Sequence, residues 1–310
     1  MTSDRKPIVG ASIRAPYADL GGSIRLIEEL GFDHLSVGEH VMFHGVMANS
    51  MVVLSYAAAI TTRIKLLSSV ALVPLYPAAL LAKMTSMIDV VSNGRYGLGV
   101  GIGGEFKTEF DACGVPVHER GARTDEALEI IRKLWTGETV SHEGRFVKFQ
   151  DGRIQPPPVQ RPGPPIWVAG RKDAAIRRAA RFGDVWYPYM YTPEKIAESI
   201  VKLRQFEAGF GRAPGSVDVR AHCFINADPD ANAARAAVAR FVGGTYQQDF
   251  TGTTGRYLVA GTPQDCVRRL QEYIDAGATG VTLVQACAPE DFDTMIRRLA
   301  AEVVPGLRCR

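Results

Sequence analysis

Short apolar runs rich in Val and Ile recur along the chain, and between them lie stretches in which apolar residues return every three or four positions. The runs begin near Ile8, Asp33, Ile64, Arg95, Pro165, Asp184, Val217 and Gly280, eight in all. Helical spacing covers 22–30, 51–60, 78–91, 123–135, 173–181, 193–210, 231–242 and 263–276. Helix ends agree: Gly31, Gly94, Gly183 and Gly277 each follow a periodic segment, where a left-handed C-terminal residue belongs. Thr192-Pro193 and Thr262-Pro263 supply an N-cap and a first-turn proline.

Strands that are apolar on both faces, alternating with helices, predict a closed parallel barrel: α/β, a (β/α)8 TIM barrel, one domain over 1–310. A doubly wound sheet is the alternative, but it calls for a phosphate fingerprint after the first strand, and 10–20 contains no G-x-G-x-x-G. Two spacings, Arg95 to Pro165 and Val217 to Gly280, are far longer than one βα unit, so insertions are expected after strand 4 and after strand 7. The first reads as a hairpin over 140–149 around Glu143-Gly144, with a proline-stiffened return over 155–165. The second, 243–256, is polar and Gly-rich and reads as a mobile loop rather than a helix.

Composition narrows the partners. With 36 Lys plus Arg against 33 Asp plus Glu, the net charge is +3, too small and scattered for a nucleic-acid surface. No apolar run approaches the roughly 20 residues of a membrane-spanning helix, and the first residues lead straight into a strand-like run. The expectation is a cytoplasmic protein with a small-molecule substrate, no nucleic acid and no membrane. The 5 cysteines are widely spaced, without a C-x-x-C pair, and read as free thiols. His34, His40 and His44 lack the helical pairing of a zinc site, so no metal is expected.

In such a barrel, chemistry sits beyond the C-terminal strand ends. The second strand runs into Gly38-Glu39-His40, an acid beside an imidazole that titrates near neutrality. The third runs into Ser68-Ser69-Val70, and the fourth into Gly99-Val100-Gly101-Ile102-Gly103-Gly104-Glu105, with Glu109 four residues beyond. The small residues let a flat or phosphorylated ligand approach the backbone. The fifth ends in Gly170-Arg171-Lys172 just before a helix, where free N–H groups and two cations suit a phosphate.

In this order, Leu30-Gly31-Phe32-Asp33 with Gly38-Glu39-His40, then 77–83 with 91–95, then Glu109-Phe110, Gly114-Val115-Pro116, Glu119-Arg120-Gly121, 165–170 and 179–184 resemble the bacterial luciferase-like superfamily of flavin- and deazaflavin-dependent oxidoreductases. The pattern is most similar to its branch that uses the deazaflavin coenzyme F420. The resemblance implies an F420-dependent oxidoreductase that moves a hydride between the coenzyme and a small organic substrate. An FMN-dependent luciferase-like monooxygenase and a non-catalytic deazaflavin-binding barrel are the alternatives.

The resemblance also implies roles: His40 as acid/base, Glu39 at the ring where the branch commonly has Asp, and Glu105 as a second proton carrier. It places Ser69-Val70 where the family often has a non-prolyl cis peptide, Gly101 and Gly103 at the coenzyme, and Gly170 and Arg171 at its phosphate. Where the branch's sugar-phosphate enzymes carry a Trp, this chain has His44, so a sugar-phosphate substrate is not carried over. Family members are commonly dimers. A homodimer is expected, and 51–59 and 78–87 are more apolar than solvent-facing barrel helices should be.

Overall fold

The computed structural model of the chain describes residues 6–13, 19–249, 252 and 254–308. In chain order the strands are β1 (Ile8–Ile13), β2 (His34–Val37), β3 (Lys65–Ser68), β4 (Ala71–Leu72), β5 (Tyr96–Gly101), β6 (Val140–Glu143), β7 (Lys148–Gly152), β8 (Ile166–Ala169), β9 (Val185–Tyr187), β10 (Asp218–Ala227), β11 (Val259–Gly261) and β12 (Gly280–Gln285). The helices are α1 (Leu20–Glu29), α2 (Ser50–Ile60), α3 (Ala78–Val91), α4 (Lys107–Ala112), α5 (Arg120–Trp135), α6 (Asp173–Phe182), α7 (Pro193–Gly209), α8 (Ala231–Tyr246), α9 (Thr254–Tyr257), α10 (Pro263–Asp275), α11 (Phe292–Arg298) and α12 (Val304–Arg308).

All eight apolar runs form barrel strands. The order β1-β2-β3-β5-β8-β9-β10-β12 closes on β1, and every pair is parallel. Closure hides both faces of each strand, and β2, β5 and β12 are buried along their whole length. Capping sets the helix starts. Asp19 accepts from the Gly22 N–H at 2.9 Å, Asn49 from Val52 at 3.1 Å, and Thr262 with Asp265 forms a reciprocal capping box.

The third run is broken at Ser69-Val70, whose peptide is cis, and it resumes as β4, which pairs with β5. Glycines in β5 make that close pairing sterically feasible. A Cβ on Gly99 would lie 1.9 Å from the Ser68 carbonyl oxygen, and one on Gly101 2.4 Å from a Val70 methyl.

The insertion after the fourth barrel strand holds α4, α5 and the antiparallel β6–β7 hairpin, with Glu143 opposite Lys148. The insertion after the seventh differs from its sequence reading. Residues 243–246 belong to α8, which runs on through Gly243-Gly244 because Val238 and Val242 are fully buried on one helical face. It ends at Gln247 with φ 52°. Residues 254–257 form α9, while 250, 251 and 253 of that segment lie outside the described residues.

Gly183 is also a correction. Gly31, Gly94 and Gly277 adopt positive φ as expected, but Gly183 is extended at φ −87°, and its lack of a side chain serves close contact with the end of α6 instead. On α2 and α3 the inward faces are fully buried, whereas Val52 (68%), Tyr56 (44%) and Leu80 (51%) remain exposed. Among the described residues no helix is long and apolar enough to cross a membrane.

Candidate active site

His40 leaves the C-terminal end of β2 and meets Glu109, which α4 turns inward. Both Glu109 oxygens lie 3.1 Å from His40 Nδ1, and the carboxylate, fully buried, also accepts from the Val41 N–H at 3.2 Å. An ionised Glu109 takes the Nδ1 proton as its hydrogen-bond donor, which leaves Nε2 as the ring nitrogen free to accept or return a proton. Phe43 stacks on the imidazole with centroids 4.0 Å apart.

Glu39 has a different environment from the one its position beside His40 suggests. Its carboxylate accepts from the Ser50 N–H (3.0 Å) and hydroxyl (2.5 Å), from the Leu72 N–H (3.0 Å) and from the Tyr76 hydroxyl (3.1 Å). It thus pins the β2 loop to the start of α2 and to β4, and the imidazole's carboxylate partner is Glu109. Burial, followed by the charge of Glu39, pushes the Tyr76 phenol well above its ordinary range, so it stays a donor.

Ser69 follows β3, and its hydroxyl lies 3.2 Å from the Tyr187 hydroxyl, which in turn lies 2.9 Å from His222 Nδ1. Burial raises the Tyr187 phenol far above neutrality. These residues place a polar row from the C-terminal ends of β3 and β9 to the middle of β10, with Val70 next to Ser69 and Gly101 against Val70. Gly103 and Gly104 then turn the chain with φ 59° and 109°, conformations that L side chains rarely adopt.

Glu105 is exposed and accepts from the Tyr189 hydroxyl at 2.9 Å. Arg171 lies over the Tyr189 ring at 4.8 Å and donates to the Met190 carbonyl at 3.3 Å. Glu105, Tyr189 and Arg171 therefore form one bridge between the loops after β5, β8 and β9. Gly170, at φ 129°, passes so close to α6 that a Cβ would meet the Ala175 methyl at 2.6 Å, and its carbonyl accepts from the Trp186 indole at 2.9 Å. Lys172, the N-cap of α6, offers no side-chain acceptor to the first-turn N–H groups. With Arg171 and Lys172 before it and no side-chain cap, this helix start can face an anionic group, while Asp173 in its first turn is paired with Lys202 at 2.9 Å.

Of the residues read from sequence, the structure brings His40 to the mouth with Ser69, Val70 and Gly101 nearby, and it groups Glu105 with Arg171. It does not join Glu105 to His40. Glu109, Tyr187, Tyr189 and His222 carry roles the sequence reading did not assign. For Glu109 the sequence offers only its place beside the apolar Phe110; that these two residues form the buried face of a short helix is seen in the structure.

An eight-stranded parallel barrel with a buried carboxylate–imidazole pair beyond its second strand has the layout of a barrel oxidoreductase. The chain belongs to the luciferase-like monooxygenase family, which matches residues 2–280. Over 187 residues it is 32% identical to the FMNH(2)-dependent dimethylsulfone monooxygenase of Pseudomonas putida, covering 59% of this chain and 50% of that one. The chain spans about half the length of the curated relatives it matches. Among solved structures it is similar to the monooxygenase RslO1 from Streptomyces bottropensis, at 25% identity and TM-score 0.82 over 96% of this chain and 98% of that one. It also shares the fold of the coenzyme F420 dependent tetrahydromethanopterin reductase from Methanopyrus kandleri, at 20% identity and TM-score 0.80 over 98% and 99%.

Proposed function

We propose that the protein is an F420-dependent oxidoreductase that moves a hydride between the deazaflavin coenzyme and a small organic substrate. The observation that carries this reading is the His40–Glu109 pair at the barrel mouth. Ser69, Val70, Gly101 and Gly103 would hold the ring of the coenzyme, and Gly170 and Arg171 its phosphate. When bound, the coenzyme supplies a two-electron hydride donor or acceptor. For an alcohol–carbonyl couple, loss of hydride from carbon leaves the hydroxyl proton to be removed. His40 Nε2 takes that proton while Glu109 holds the imidazolium, and the reverse direction returns it. Glu105 acts as an anchor for Tyr189 under Arg171, not as the proton carrier.

A second reading, an FMN-dependent monooxygenase, is favoured by the identity to the dimethylsulfone monooxygenase and to RslO1. Titrating the purified protein with F420 and with FMN, then following deazaflavin absorbance and oxygen uptake with substrate, decides between them. Tighter F420 binding with absorbance change and no oxygen uptake supports hydride transfer; tighter FMN binding with oxygen uptake overturns it. Binding of F420 with no turnover of any substrate supports a carrier. The apolar exposed residues Val52, Tyr56 and Leu80 support a homodimer, which a sedimentation mass of one chain at micromolar concentration would refute. A cytoplasmic location, with a small-molecule substrate as the only non-self partner, completes the proposal.

A further inference from the structure

We infer that the substrate facing His40 is a neutral, flat, largely apolar molecule with one reacting polar group, selected by an aromatic wall of Phe43, Phe106, Phe224 and Tyr246. The inference rests on the reading of the barrel mouth as a redox site and adds the class of substrate.

Four separate stretches of chain supply the wall. Phe43 comes from the loop after β2, Phe106 from the loop after β5, Phe224 from β10 and Tyr246 from the last turn of α8. Their rings meet edge to face: Phe43 with Phe106 at 6.2 Å, Phe43 with Tyr246 at 6.4 Å, and Tyr246 with Phe224 at 6.3 Å. Phe43 is also the ring stacked on His40, so the wall begins at the acid/base group. Phe224 is buried, whereas Phe43, Phe106 and Tyr246 are half-buried. Edge-to-face rings offer flat faces to a planar guest.

Among the described residues, the stretch that carries Phe43 offers little to a charged substrate; besides His40, the nearest charge-bearing side chains are His44, against Phe43 and Phe106, and Arg120, beside Gly104. Segment 38–49 contains no Lys or Arg, and it leaves Val41 (56%), Met42 (44%) and Val46 (70%) exposed at the rim. Lys107, next to Phe106, is paired with Asp111 at 2.6 Å, and Arg171 is the cation proposed for the coenzyme's phosphate. A phosphate on the substrate would lose hydration against these rings, whereas an apolar body gains by leaving water.

The test is calorimetric titration of the protein, loaded with whichever coenzyme it retains, using 2-acetylnaphthalene and glucose 6-phosphate as probes. The naphthyl ketone is expected to bind and the sugar phosphate not. Phe106→Ala and Tyr246→Ala should each weaken the ketone about tenfold, with Phe106→Leu intermediate. The inference is overturned if the sugar phosphate binds and the ketone does not, or if neither alanine variant changes ketone affinity while circular dichroism shows both folded. Ketone binding without deazaflavin turnover would uphold the wall and sink the hydride-transfer reading. Turnover of the sugar phosphate would do the reverse.

Discussion

Glu109, and not Glu105, is the carboxylate that meets His40, with both oxygens 3.1 Å from Nδ1. The two acids lie one helical turn apart in sequence, yet one is fully buried against the imidazole and the other is exposed under a tyrosine hydroxyl. Glu109→Gln should therefore lower kcat by about 10²-fold or more, and so should His40→Ala, within the range for acid–base groups. Glu105→Gln should change it by less than about tenfold. Steady-state kinetics with the coenzyme that binds best would check this. Equal losses in the two glutamate variants would place both acids in the proton path.

The Arg171–Tyr189 contact makes a separate statement about coenzyme affinity. A polyanionic coenzyme tail at Arg171 predicts binding that weakens with salt, and Arg171→Ala should weaken it further while flattening the salt dependence. Tyr189→Phe keeps the ring beneath the guanidinium and removes only the bond to Glu105, so its affinity should stay within about threefold of the wild type; Tyr189→Leu should lose more. A salt dependence unchanged by Arg171→Ala would move the phosphate elsewhere.

What the sequence made legible follows from the range of the interactions involved. Strand identity and order depend on local apolar runs, and His40 could be placed because the end of β2 could be placed. The choice between Glu105 and Glu109 depends on where α4 begins and which face it buries, since Glu105 precedes the helix and Glu109 lies within it, and a helix of 6 residues is too short for its periodicity to register. Tyr246 was hidden for the opposite reason. Gly243-Gly244 read as a break, but burial of Val238 and Val242 outweighs the helix cost of two glycines, roughly 2 kcal/mol, and carries Tyr246 to the mouth. Gly183 shows the same limit, because a glycine required for close contact and one required for positive φ look alike in sequence.

Arg95 is a buried cation with no carboxylate in its hydrogen bonds. Its guanidinium donates to the carbonyls of Ala58 (3.0 Å), Thr61 (3.0 Å), Ile64 (2.9 Å) and Ser92 (2.8 Å) and to the Thr61 hydroxyl (2.9 Å). It thereby satisfies acceptors around the C-terminal ends of α2 and α3, where the helix dipoles favour positive charge. Arg95→Met should destabilise by about 2–4 kcal/mol, since it strands several buried carbonyls at once. Urea midpoints at constant slope would measure it, and a shift under about 0.5 kcal/mol would mean water replaces the guanidinium at little cost.

His34 supplies a pH dependence of stability from inside the barrel. It lies buried in the barrel, with Nε2 2.8 Å from the Thr282 hydroxyl and its ring edge-on to Trp167, which also carries the Arg220 guanidinium on its face. Burial first, then the charges of Arg220 and His222, hold its pKa down at about 3, against 6.5 for an ordinary histidine. Between those two values the unfolded chain holds a proton on this residue that the folded chain does not. Stability must then fall as pH drops from about 6.5 toward 3, by up to roughly 1.4 kcal/mol per pH unit from this residue. His34→Gln keeps a partner for Thr282 and cannot titrate, so its urea midpoint should decline less steeply than that of the wild type between pH 6.5 and 4.5. Carboxylates elsewhere protonate in both proteins and cancel in the comparison. Parallel declines would show that His34 is charged, or solvated, in the folded barrel.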